Sequence, residues 1–360
     1  MSIVSFNLNR KLNVAFTFNV KPSDNLPLNT PTEKFNSTTV STFNDTYAEW
    51  DTWETINAIK SSLELYHNVT MIEANEDAFE KFKSLLPDIV FNYSECANGI
   101  SREAQIPAML DMLKIPYTGS DPLTLITCLH KARTKEILTY HKIPNPKFYI
   151  TNGMNSINNF DLAFPVIIKP IAEGSSKGIF NNSYIKDNDE LTSSIKTNYG
   201  KYKQQSIVEE YLPGREFTVG ILGNGDDAEV LPIVEMNFSE LPKNLVPIYS
   251  FEAKWIEDTP EKPLEIFTCP AKLDANLEQN IKNTALFAYN TLNCKDWARI
   301  DVRLDANNTP NIIEVNPIPG ALPNPDNNSC LPKAARARGL SYEEMINTVL
   351  FSAIKRHGLV

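Results

Sequence analysis

The sequence predicts an α/β protein whose N-terminal part is built on a parallel sheet. Two observations carry this. Short β-rich runs alternate with helical patterns from residue 12 to residue 120, and such alternation marks strands joined through helices. A hydrophobic content of 42% over 360 residues is enough to fill one large core, or two or three smaller ones.

Taken in order, residues 12–20 (LNVAFTFNV) read as a first strand. Residues 21–45 are rich in Pro, Asn, Ser and Thr and read as a long loop. Over 47–66 the apolar spacing is helical, with Trp50, Trp53, Ile56, Ile59 and Leu63 near one face. A strand at 69–73, a helix at 76–85, a strand at 88–93 and a helix at about 101–113 follow. IPYTGS at 115–120 reads as a further strand and turn. Ligands of such sheets bind beyond the carboxyl ends of the strands.

From 121 to 142 the pattern is helical and stops before Pro144. FPVIIKP (164–170) is a strand that runs into the loop AEGSSKGIF (172–180). QSIVEEY (205–211) and EFTVGILG (216–223) are strands divided by Leu212-Pro213-Gly214. The remainder reads as mixed sheet and helix: a helix at about 274–291, strands at 297–304 and 311–315, an irregular loop at 317–329 and a final helix at 341–356. There is no internal repeat and no low-complexity tail.

The net charge is −10 and the pI about 5.1. An acidic chain repels phosphate backbones, so nucleic acid is not expected as a partner. A phosphate ligand would need local lysines, amides or metal. Cys96, Cys128, Cys269, Cys294 and Cys330 show no CxxC spacing, and read as reduced thiols of a cytoplasmic protein. The four histidines are too scattered for a zinc site. The first twenty residues alternate apolar and polar and lack the continuous apolar stretch of a signal peptide. No run approaches the roughly 18 apolar residues that cross a bilayer, so no membrane association is expected.

Three constellations carry chemistry. In the first, a strand delivers Lys169 beside EGSSKG. Gly174 and Gly178 let backbone approach a phosphate, and successive amides with Ser175 and Ser176 hydroxyls can donate to its oxygens. Lys177 would add charge. Alone, such a turn is an ordinary hairpin, and it is not a Walker loop, because GxxxxGK[ST] is absent. In the second, alternate strand residues share a face, so Arg299, Asp301 and Arg303 project together, as do Glu314 and Asn316. Two carboxylates and an amide oxygen suit hard divalent cations completed by ATP phosphates. Alone, the cluster reads equally as a ladder of surface ion pairs. In the third, Glu209 and Glu210 end one strand and Glu216 opens the next. That is either a hinge reading adenine, with Glu216 accepting from ribose, or a hairpin with acidic ends.

The order and spacing of SREAQIPAMLDMLKIPYTGSDPLTL, KARTKEIL, FPVIIKPIAEGSSKG, VEEYLPGREFTVGILG, FEAKW, WARIDVRL, IIEVNPIPG and SCLPKAARARGLSYEEMI are distinctive. Over roughly 88–350 the chain resembles the D-alanine–D-alanine ligase branch of the ATP-grasp superfamily. The resemblance implies an ATP-grasp fold of three α/β domains, at 1–119, 120–214 and 215–360, with ATP between the central and C-terminal ones. It implies that Lys131 and Lys169 contact ATP phosphates, that Glu209, Glu210 and Leu212 line the adenine pocket, and that Glu216 takes the ribose. It implies that Lys254 approaches the γ-phosphate and that Asp301, Glu314 and Asn316 hold two Mg2+ ions, for which Mn2+ can substitute. Arg299 would stabilise charge developing during attack, Ser175 would lie in the loop over the phosphates, Gly320 would follow the metal strand, and Ser329 would orient the acceptor amino acid. The partners implied are small molecules including an amino acid, and a second copy in a homodimer.

Three features depart from that pattern, all on the substrate side. The family's glycine-rich turn and Ser/Glu segment after the first strand are missing, and Asp24 and Glu33 do not match its glutamate. Trp255 stands where Tyr is usual, without a phenolic hydroxyl. PIPGALPNPDNNS carries extra Pro and Asn before Ser329. ATP chemistry is therefore expected to be kept and the substrates changed. In this the chain is similar to the ligases that finish mycosporine-like compounds by joining an amino acid to mycosporine-glycine, where Trp255 could stack on a planar ring. The competing expectations are a D-alanine–D-alanine or other small amino-acid ligase, and a non-catalytic nucleotide sensor. A sensor would be expected to have lost a metal ligand or phosphate lysine, and all are present.

Overall fold

The computed structural model describes residues 10–22, 45–151, 153, 157, 159–258 and 263–359. Asp24 and Glu33, and most of the predicted loop 21–45, lie outside the described residues. The first unit contains β1 (Asn13–Phe18), α1 (Trp53–Glu64), β2 (Asn68–Glu73), α2 (Ala78–Leu85), β3 (Ile89–Tyr93) and α3 (Gln105–Leu113). Its sheet is parallel, in the order β2-β1-β3, as the alternation requires. β1 is central and covered on both faces. Val14, Phe16 and Phe18 pack towards Ile56, Ile59 and Leu63 of α1, while Ala15 joins Phe82, Val90 and Leu110 on the other side. Opposite faces for alternate residues follow from the pleat.

Three sequence expectations are corrected here. IPYTGS makes only an isolated bridge, Val90 to Tyr117. The helix expected over 47–66 starts at Trp53, because Asp51 is extended and bridges Val20. Trp50 therefore sits in a turn instead of on the helix face. The helix expected over 121–142 is two: α4 (Pro122–Leu129) and α5 (Lys131–Tyr140). His130 breaks it with ψ near 89°, and its imidazole accepts the Arg133 amide.

The second sheet is antiparallel, in the order β4-β7-β5-β6, from β4 (Phe148–Ile150), β5 (Val166–Pro170), β6 (Tyr184–Ile185) and β7 (Ser206–Glu210). α6 (Asn188–Tyr202) seals one face through Leu191 and Ile195. On the other face Ile207 meets Ala132 of α5.

The third sheet follows the path β11-β10-β8-β12-β13, with β9 added to β8. Its strands are β8 (Glu216–Leu222), β9 (Glu229–Val230), β10 (Val234–Met236), β11 (Phe267–Thr268), β12 (Trp297–Leu304) and β13 (Pro310–Asn316), and its pairings are antiparallel. α7 (Ala275–Thr291) covers one face. α8 (Cys330–Arg338) and α9 (Tyr342–Arg356) lie on the other, in one core with α1 and β1. Trp297 of β12, fully buried, meets the Phe91 and Tyr93 rings at 5.8 and 5.9 Å. The first and third sheets are thus packed as one block, with the second sheet standing across a cleft.

Candidate active site

The cleft holds a cavity of about 510 Å³. Lys131, Lys169, Ser175, Ser176, Glu209, Glu210, Leu212, Glu216, Lys254, Trp255, Arg299, Asp301, Glu314, Asn316, Gly320 and Ser329 line it, while Lys177 and Gly178 do not. β12 and β13 pair Asp301 with Glu314 and Arg299 with Asn316. This register sets the two carboxylates side by side. Asn316 Nδ2 lies 3.3 Å from Asp301 Oδ2, Arg299 pairs with Asp301 at 3.0 Å, and Thr218 of β8 donates to the other Asp301 oxygen at 2.5 Å.

Opposite these acids stand the lysines. Lys131, the first residue of α5, is placed by the His130 break and reaches Glu314 at 2.5 Å. Burial disfavours the Glu314 carboxylate, but Lys131 and Lys169 outweigh it and hold its pKa at about 2. Lys169 of β5 pairs with Glu209 of β7 at 2.8 Å, and Lys135 joins from α5 at 3.2 Å. Burial opposes the Glu209 charge, yet the two lysines keep its pKa below the usual carboxylate range. Burial pushes Lys135 down to about 8 against the pull of Glu209. Glu209 is thereby committed to lysines. Glu210 accepts the Lys147 amide at 3.1 Å, and Leu212 is buried against the cavity. Glu216 is bound to Arg303 at 2.8 Å; burial raises its pKa despite that partner.

The loop after β5 takes an unusual backbone form. Ser175 and Ser176 are both left-handed, with φ of 50° and 60°. Non-glycine residues rarely adopt this conformation, and it is costly unless the surroundings enforce it. Turns of backbone amides can form anion-binding concavities. Ser176 Oγ is tied to the Tyr249 carbonyl at 3.0 Å. Lys177, expected beside phosphate, instead pairs with Glu173 at 2.6 Å and with Glu49 at 3.6 Å.

At another wall of the cavity, Lys254 and Trp255 lie on a π-helical turn, Ala253–Glu257, a form often found at functional sites. Burial, reinforced by Arg299, lowers Lys254 to about 8, although Glu95 pulls the other way. The Trp255 indole N–H donates to the Ser175 carbonyl at 3.1 Å. Its ring carries the Lys21 ammonium at 4.6 Å and the Lys254 ammonium at 5.2 Å. The ring expected as a platform for a planar substrate thus carries two ammonium groups. Ser329 Oγ donates to the Gly320 carbonyl at 3.2 Å and accepts the Leu322 amide at 3.1 Å, so it braces the loop that closes this end.

Several cavity residues escaped the sequence. Lys135 packs beside the site rather than lining it, yet it was signalled by its spacing of four from Lys131 in KARTKEIL, which puts both on one helix face. Lys21, Glu49, Asp51, Glu95 and Glu103 also line the cavity. Burial raises the pKa of Asp51 to about 6, against Lys21, and that of Glu103 to about 8, against Arg102. No local motif marks Asp51, and Glu103 lies in SREAQIPAML without being singled out there.

The chain matches the family model described as D-ala D-ala ligase C-terminus over residues 144–351. It is 35% identical over 271 residues to the uncharacterized protein y4sG of Sinorhizobium fredii, covering 75% of each chain. It is 33% identical to the D-alanine–D-alanine ligase of Alcanivorax borkumensis, over 70% of this chain and 73% of that one. Among solved structures, D-alanine–D-alanine ligase from Bacillus anthracis complexed with ATP superposes with a TM-score of 0.70 at 22% identity, covering 97% of this chain and 99% of that one. The fold is ATP-grasp, and the chain belongs to the D-alanine–D-alanine ligase family, a family of ligases that form carbon–nitrogen bonds.

Proposed function

We propose that this chain uses ATP and two divalent cations to phosphorylate a substrate oxygen and couples that substrate to the amine of an amino acid. The observation that carries this reading is one cleft in which Asp301, Glu314 and Asn316 face Lys131, Lys169, Lys254 and Arg299. We place the cleft between a central unit, 120–214, and a C-terminal unit, 215–360.

The donor set fits Mg2+, with Mn2+ as a substitute. Among the described residues no three His, Cys, Asp or Glu side chains converge as a metal cage. Asp301, Glu314 and Asn316 offer two carboxylates and an amide, which leaves octahedral positions for phosphate and water oxygens. ATP supplies the phosphoryl group that turns an unreactive oxygen into a leaving group. The chain's own residues position and neutralise. Lys131 and Lys169 hold phosphate oxygens, and Lys254 approaches the group transferred, since phosphoryl transfer needs placement and positive charge above all. The amides around Ser175 and Ser176 cap the phosphates. Arg299, held by Asp301, donates to the oxygen that gains charge during amine attack. Glu209, Glu210 and Leu212 border the base, Glu216 the ribose, and Ser329 with Gly320 shapes the acceptor end.

In its most specific form the activated substrate is mycosporine-glycine, and amine attack yields an imine. The support lies on the substrate side, where Lys21, Asp51, Glu95 and Trp255 form a wall of mixed charge. Such a wall suits a ring substrate carrying both polar and carboxylate groups. Ligation of two D-alanine molecules is the second reading, favoured by the 33% identity to a ligase of that name. Phosphate release decides between them. ATP and Mg2+ are paired with D-alanine alone, then with mycosporine-glycine plus serine, threonine or glycine. Release only in the second set is expected. Release with D-alanine alone overturns the specific form, and no substrate-dependent release in any set overturns the ligase reading.

A further inference from the structure

An amino acid carries its amine as an ammonium ion near neutral pH. That ion has no lone pair to attack with, so coupling needs a group that takes a proton first. Arg299 and the lysines that hold phosphate are cations in those roles, and most carboxylates of the cavity are committed. Glu209, Glu216 and Glu314 pair with lysine or arginine, and Asp301 pairs with Arg299. Glu49 and Glu173 pair with Arg102 and Lys177. Glu210 accepts the Lys147 amide, Asp258 accepts from Tyr249 and Asn328, and Asp51 accepts from Tyr93. Glu54 is exposed on α1. Glu95 and Glu103 remain, and neither has a hydrogen bond or ion pair among the described residues.

Position separates these two. Glu103 feels the charges of Arg102, Lys131 and Glu314, which places it toward the phosphate end. Glu95 feels Glu49, Glu103, Asp51 and Arg102, and it acts on Lys254, as Arg299 does. It stands just past β3, beyond the carboxyl end of a parallel strand, where ligands of such sheets bind. The chain is clamped on both sides of it. Ser94 Oγ donates to Asn92 Oδ1 at 2.7 Å. Cys96 is left-handed, with φ of 54°; its amide donates to Asn19 Oδ1 at 2.8 Å, and its carbonyl accepts from Trp50 Nε1 at 3.0 Å. Both neighbours of Glu95 are fixed, while its own carboxyl group lines the cavity.

We infer that Glu95 is the general base of the coupling step: it receives the ammonium of the incoming amino acid and takes one proton. The N–H electron pair stays on nitrogen and forms the new C–N bond as the bond to phosphate breaks. The departing phosphate carries off the second proton where the product is an amide. This rests on the ligase reading of the cleft. The groups facing Glu95 support it. Burial, then Glu49, Glu103 and Asp51, hold its pKa well above the usual carboxylate range, with Arg102 opposing; Tyr93 and Lys254 also face it. An arriving ammonium favours the ionised form. Amine-dependent kcat/KM is therefore expected to rise with pH above the ordinary carboxylate range, as Glu95 ionises.

The test uses the full chain with ATP, Mg2+ and the substrate pair that releases phosphate in the screen above. Glu95→Gln is expected to lower kcat about 10²-fold or more and to leave affinity for the non-hydrolysable analogue AMP-PNP unchanged. Hydroxylamine, unprotonated at neutral pH, then replaces the amino acid. It needs no base, so phosphate release with it is expected to be equal in variant and wild type. Wild-type kcat with the amino acid overturns the inference, and so does a deficit of the same size with hydroxylamine. The rise of kcat/KM with pH is expected to persist in Glu95→Asp and to vanish in Glu95→Gln; a rise that persists in Glu95→Gln overturns the inference too. If Glu95→Gln does not fold, Glu95→Asp carries the test, since its carboxylate is drawn back by one methylene. It is expected to lose kcat with the amino acid and not with hydroxylamine, and equal losses overturn the inference. Absence of substrate-dependent release by the wild type sinks the ligase reading instead, so the two failures are distinguishable.

Discussion

Lys254 shows how a single side chain is tuned by its surroundings. Burial and the nearby Arg299 charge lower its pKa to about 8, with Glu95 opposing. The protonated form is the one that can meet phosphate. In the unliganded enzyme it is lost as pH rises through about 8, so kcat/KM for ATP is expected to fall on that limb, because this parameter reports groups of the free enzyme. Lys254→Arg, which stays protonated, is expected to remove the limb from the profile even where turnover is reduced. A wild-type profile flat to pH 10 would contradict the role. Side chains of this kind were legible in the sequence when a strand pattern aligned them, as with Arg299, Asp301, Glu314 and Asn316. Glu49 was not, since its partner Gly174 lies 125 positions away and nothing local announces the contact.

The loop between β5 and β6 is the element on which the account turns. Its end is fixed by Gly178, which has φ of 74° and whose added Cβ would fall 2.3 Å from the Pro170 ring and 2.9 Å from Tyr202. Pro170 follows Lys169 directly, so displacement would be felt at the lysine. Gly178→Ala is expected to cost more than about 1 kcal/mol, because alanine is strained at positive φ. It should lower the melting temperature by at least about 2 °C. Gly200→Ala in α6, where nothing lies within 4 Å, is expected to be neutral or stabilising. Equal melting temperatures for the two variants would contradict the account of the loop. Strands and glycine positions here could be read from sequence. The left-handed Ser175 and Ser176 could not, because contacts such as Ser176 with Tyr249 and Trp255 with Ser175 enforce them across 73 and 80 positions. The break at His130 was hidden for a related reason: 121–142 is helical in pattern throughout, and only the tertiary contact of the Lys131 amide with the Ile171 carbonyl at 2.9 Å shows what the break achieves.

Across the whole molecule, alternation of strand and helix identified the parallel first sheet. Of the two antiparallel sheets the longer strands β5, β7, β8, β12 and β13 were legible, while β4, β6, β9, β10 and β11, each only two or three residues long, were not. The packing of α8 and α9 into the α1–β1 core was not legible, since amphipathic helices do not name the face they cover. That packing makes a rigid block of the first and third sheets, and the cleft forms where the second sheet meets it. Among the described residues no helix is long and apolar enough to cross a membrane.

The central claim is that acids of β12 and β13 and lysines of β5 and α5 hold one metal–nucleotide complex in this cleft. It is tested most directly by a crystal grown with AMP-PNP and Mn2+, in which the anomalous signal locates the cations. The account predicts peaks against Asp301, Glu314 and Asn316, with Lys131 and Lys169 turned from Glu314 and Glu209 toward phosphate oxygens. Peaks elsewhere, with the Lys131–Glu314 and Lys169–Glu209 pairs intact, would contradict it.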